Sequence, residues 1–82
     1  MSALPVDKLS LYIRDLGELL KEEALTARSE RQNAASDDKS YASGQLMAFY
    51  RVISLMREQA KAFGIDLSEL ALQDIEPDRD LL

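Results

Sequence analysis

The stretch KSYASGQLMAFYRVISLMREQAKAF, residues 39 to 63, decides the fold. Within it Ala42, Leu46, Phe49, Ile53, Met56, Ala60 and Phe63 recur at alternating steps of four and three over three heptads. That spacing places one apolar line along an α-helix, the pattern of a seam packing lengthwise on another helix. Beside it runs a second line, Ala48, Val52 and Leu55, which widens the apolar face beyond what one neighbouring helix covers. Gly64 follows as a left-handed stop, and Ser36 to Asp38 precede as cap residues whose acids suit a positive helix end.

The partner helix lies upstream. Val6, Leu9, Ile13, Leu16, Leu20, Ala24 and Ala27 also alternate steps of three and four, predicting a helix from about Pro5 to about Gln32. Proline suits a first helical turn, where its missing amide would be unpaired anyway. The run Asn33-Ala-Ala-Ser-Asp-Asp38 supplies the connecting turn. Downstream, Asp66-Leu-Ser-Glu69 resembles a capping box and predicts a short helix through Leu70 or Gln73, whose leucines fold back as a lid on the end of the long helices. Pro77 is read as a stop. The resulting expectation is an all-α chain: an antiparallel hairpin of two long helices with a short C-terminal helix in residues 1–75, and a mobile acidic tail over residues 76–82. Because an 82-residue chain has little core to offset chain entropy, pairing of two hairpins into a dimeric four-helix bundle is the expected supplement.

Composition narrows the chemistry. With no cysteine and no histidine the chain has no thiolate or imidazole for structural zinc, copper or iron–sulfur sites, and its serines have no histidine base. The carboxylates Glu18, Glu22, Glu23 and Glu58 lack the Glu-x-x-His or paired acidic motifs of helical metal sites, and read as a solvated face stabilised by pairs such as Glu18 with Lys21. No catalytic residue, metal or cofactor is therefore expected, and the reading is of a protein that is not an enzyme. The N-terminus lacks a basic start followed by an apolar run, and Arg51 and Arg57 break the one long low-charge stretch. Neither a secretory signal nor a membrane span is expected, which points to the cytoplasm.

Net charge is −5, and its placement is more telling than its size. Residues 1–65 hold nine acidic and nine basic side chains, whereas residues 66–82 hold six acids against Arg79 alone. An acidic end on a neutral body repels phosphate backbones, so no nucleic-acid partner is expected. Two kinds of interaction remain. The first is a homodimeric adaptor or structural module whose contact surface includes Tyr12, Leu19, Met47, Tyr50, Val52 and Leu55. The second is an acidic inhibitor, immunity protein or antitoxin that docks a basic partner through Asp74, Glu76, Asp78 and Asp80.

Overall fold

A computed structural model describes residues 7–82, and over them the chain is all-α. The first helix, α1, spans Lys8–Asn33 and the second, α2, spans Lys39–Phe63. The start expected at Pro5, and Val6 in the first stripe, lie outside the described residues. At the described start Asp7 is the N-cap, its carboxylate accepting the Ser10 amide at 2.8 Å. Between the long helices, Ala34 and Ala35 lead into a single 3-10 turn, Ser36–Asp38, that runs directly into α2. Two side-chain bonds tie this turn: Arg31 Nε donates to Ser43 Oγ at 3.0 Å, and Lys39 Nζ donates to the Arg31 carbonyl at 3.0 Å.

The two long helices pack on each other along the predicted seam. Ala42, Leu46, Ile53 and Ala60 are buried, with Phe49 and Met56 half-buried against them. From α1, Ala24 and Ala27 are buried and Ile13 packs at the edge. Phe63, at the end of the heptad line, is exposed, because the seam finishes one turn earlier at Ala60. Gly64 then adopts φ +69, and the Ile65 amide donates back to the Ala60 carbonyl at 2.8 Å, closing α2 with a left-handed cap.

After that cap the chain turns onto the helix pair and stays there. Leu67–Leu70 form a 3-10 turn opened by the expected capping box, in which the Glu69 carboxylate accepts the Asp66 amide at 3.2 Å. Ala71 takes the left-handed conformation, φ +56, while the Leu72 amide returns to the Leu67 carbonyl at 3.0 Å. Leu70, Leu72 and Ile75 are buried, as the lid reading expects.

The last seven residues differ from the reading that leaves 76–82 outside the fold as a mobile acidic tail. Pro77–Asp80 form a short helix, α3, with Pro77 buried, and Leu81 is 1% exposed. The physical reason is a double meaning of proline. Pro77 ends the preceding segment but also occupies the first position of a new turn, with Glu76 as N-cap accepting the Asp78 amide at 3.4 Å. Asp80 reaches back to accept the Glu76 amide at 2.8 Å. The acids that look like a solvated run therefore serve as local caps, and the turn they hold delivers Leu81 to the core.

Candidate functional site

The C-terminal segment occupies one side of the helix pair, and its anchors define that side. Gly17 lies so close to Leu70 that a Cβ there would sit 1.8 Å from the Leu70 carbonyl oxygen, so only glycine permits the contact. One turn on, Lys21 is 9% exposed, and its ammonium donates to the Ala71 carbonyl at 3.1 Å and to Asp74 Oδ1 at 2.8 Å, with Glu18 Oε1 at 3.3 Å. Two hydrogen bonds and a second ion pair thus replace the water a buried ammonium gives up. The Asp74 hydrogen bond is the main influence holding the Lys21 ammonium above its ordinary range, and Lys21 in turn holds Asp74 below the usual carboxylate range.

On α2 the anchors are Arg57 and Tyr50. Arg57 donates to the Ile75 carbonyl and pairs with Glu76 at 3.3 Å. The Tyr50 hydroxyl donates to Asp78, an interaction that raises the phenol above its ordinary range. Met47 lines a small cavity with Leu46, Leu81 and Leu82. Met47 and Tyr50, read from sequence as surface for a partner, thus lie beside the chain's own C-terminal segment. The four acids read as a docking strip are engaged as well: Asp74 with Lys21, Glu76 with Arg57, Asp78 with Tyr50, and Asp80 with Arg79 at 2.7 Å.

The other four candidates share a different side. With roughly 100° of rotation per residue, Tyr12 and Leu19 project about half a turn away from Gly17 and Lys21 on α1, and Val52 and Leu55 about half a turn away from Tyr50 and Arg57 on α2. Their exposures, 62% for Tyr12, 50% for Leu19, 41% for Val52 and 57% for Leu55, are large for such side chains. On α2 the open side is longer than the three residues that first draw attention. Tyr41, Gln45, Ala48, Val52, Leu55, Gln59 and Ala62 repeat at steps of four and three through the whole helix, all exposed and none charged. A second heptad seam therefore lies one residue out of phase with the buried one. Gly44, on the same side, has nothing within 4 Å of where a Cβ would stand. The open stripe of α1 is less uniform. Tyr12 and Leu19 are exposed, as is Leu9, which the spacing places on the packing stripe and which lies in the first turn. Leu16 is half-buried, and Glu23, Thr26 and Glu30 occupy the second half.

Some anchors carry no motif and escape a reading by type. Lys21 reads as one of a charged trio with Glu22 and Glu23, although it follows Gly17 by four residues and precedes Ala24 by three, which puts it on the buried face. Gly17 itself is the signal, since glycine inside a helix costs about 1 kcal/mol unless something needs its missing side chain.

Among the described residues no helix is long and apolar enough to cross a membrane, and no three acidic side chains cluster closely enough to hold a metal ion. Compared with family models, with curated proteins and with solved structures, the chain finds no match.

Proposed function

We propose that this protein acts by protein–protein interaction, without catalysis, as an antiparallel helical hairpin that pairs with a second copy through its open face into a dimeric four-helix bundle. The observation that carries this reading is the unbroken uncharged stripe of α2 from Tyr41 to Ala62, exposed along its entire length and continued across α1 by Tyr12 and Leu19. Isolated exposed leucines need no explanation, but an uncharged stripe in heptad register, centred on exposed Val52 and Leu55 and with no partner, does. Two-fold pairing gives each stripe the same surface it presents, so one contact covers both copies.

The acidic-inhibitor reading loses support because Asp74, Glu76 and Asp78 each face a partner within the chain. A basic protein docking through them would share carboxylates whose charge is already partly met within the chain, which weakens their pull.

Light scattering after gel filtration tests the proposal. At micromolar concentration the wild type is expected at twice the chain mass, and Leu55→Glu at the mass of one chain with its helical circular dichroism retained. A wild type that stays at one chain mass up to the highest soluble concentration refutes self-pairing.

A further inference from the structure

Resting on the reading that the open face pairs with a second copy, we propose that the two α2 helices meet antiparallel, about a two-fold axis passing between Val52 and Leu55. The inference comes from charges bordering the open seam. With Val52 and Leu55 as consecutive seam positions, one edge of the stripe is lined by the inner-seam residues Phe49, Met56 and Phe63. The other edge carries Gly44, Arg51 and Glu58, spaced seven apart on one line of the helix. Arg51 and Glu58 are exposed, and neither makes an ion pair among the described residues.

In a parallel pair each edge faces the opposite edge of its neighbour, so Arg51 and Glu58 would meet Met56 and Phe63 and their charges would find nothing. Antiparallel, like edges face each other, and the register decides which charges meet. Setting Val52 opposite Leu55 of the second copy brings Arg51 beside Glu58 of that copy, twice by symmetry. Sliding one heptad toward the N-terminus sets Arg51 against Arg51, and sliding one heptad the other way sets Glu58 against Glu58. Only the central register is attractive at both contacts.

The same register suits the seam. Val52 and Leu55 of both copies gather into one apolar cluster at the axis, Ala48 falls opposite Gln59, and Gln45 falls opposite Ala62. Each glutamine is then received by a small residue, whereas a parallel pair would stack glutamine on glutamine. Opposed α2 dipoles also favour this direction.

The protein's lack of cysteine makes the test direct, because any introduced thiol is the chain's only one. Under mild oxidation Leu55→Cys is expected to form a disulfide-linked dimer, since its two copies lie near the axis. Ala48→Cys and Gln59→Cys should each stay unlinked alone but cross-link when mixed. Arg51→Glu should weaken the dimer about tenfold, and adding Glu58→Arg to it should restore the wild-type value. If Ala48→Cys and Gln59→Cys each link to themselves and do not link on mixing, the helices are parallel and the proposal falls while self-pairing stands. Linking of a Leu19→Cys chain to a Leu55→Cys chain, without the 48-to-59 link, places α1 of one copy on α2 of the other and equally overturns it. A wild-type monomer by light scattering would remove both the pairing and its geometry.

Discussion

The two sides of the helix pair are built from similar residues and end in opposite states. On the side facing the C-terminal segment, Leu70, Leu72, Ile75 and Leu81 complete a core with Ala24, Ala27, Leu46, Ile53 and Ala60. On the far side Val52 and Leu55 repeat at the same helical spacing, and water is their neighbour. Apolar periodicity fixes which residues want cover, but which of them receive it within one chain depends on where the remaining seventeen or so residues are anchored. Here the anchors are polar: a lysine, an arginine and a tyrosine each reach an acid or a carbonyl of the segment.

The sharpest way to expose this difference is to truncate one leucine on each side. Leu72 is fully buried, and Leu72→Ala is expected to lower unfolding free energy by about 3 kcal/mol, the usual cost of an emptied leucine site. Leu55→Ala, measured at a concentration where light scattering finds one chain mass, should change stability by less than about 0.5 kcal/mol. Urea unfolding followed by circular dichroism reads both. Equal losses would mean that Leu55 is covered within the single chain.

A smaller but more diagnostic effect belongs to the last seven residues. Deleting residues 76–82 removes buried Pro77 and Leu81 and the Arg57–Glu76 pair, and is expected to cost about 2–3 kcal/mol. Unchanged stability would restore the picture of a mobile acidic tail. The long helices, their junction and the Gly64 stop were legible because periodicity and capping are local signals. The seat of residues 76–82 was not, because it depends on contacts such as Tyr50 with Asp78 and Arg57 with Glu76 that join residues far apart in the chain. Composition there points the wrong way: an acidic run with a proline looks solvated until its acids are found capping a turn. The candidate surface divides likewise. Spacing identified Tyr12, Leu19, Val52 and Leu55 as exposed, but could not tell that Tyr50 meets Asp78 or that Met47, still 45% exposed, lies beside Leu81.

The Lys21–Asp74 contact makes the covered side sensitive to pH in a predictable sense. Asp74 is held below its ordinary range when folded, chiefly by its hydrogen bond from Lys21. Its contribution is thus present above the unfolded carboxylate value, about 3.9, and disappears as pH falls through the folded value. Lys21 is shifted upward when folded, so its contribution is present below about 10.4 and is lost as pH rises through the folded value. Urea midpoints measured from pH 7 down to about pH 2 should fall less steeply in Asp74→Asn than in wild type. Some acid dependence should persist through Asp80, which Arg79 also holds below its ordinary range. Identical slopes would show that Asp74 and Lys21 do not meet in solution.

The smallest expected effect compares the two left-handed residues that steer the chain onto the covered side. Gly64 and Ala71 both close a turn with a returning amide bond, at φ +69 and +56 respectively. Glycine adopts this conformation freely, whereas alanine meets its own carbonyl and loses about 1 kcal/mol. Gly64→Ala should therefore cost about 1 kcal/mol, with no packing gained in return, because a Cβ there would meet nothing within 4 Å. Ala71→Gly relieves the same strain, yet Ala71 is buried, and removing its methyl forfeits roughly 0.8 kcal/mol of burial while freeing the unfolded backbone. The terms nearly cancel, so the substitution should shift stability by less than about 0.5 kcal/mol. A gain of a full kilocalorie would mean that the methyl contributes nothing to the core. A loss above 1 kcal/mol would mean that it helps lock Leu72 and the Lys21 acceptor in place, making Ala71 part of the packing of the covered side rather than only the turn that leads to it.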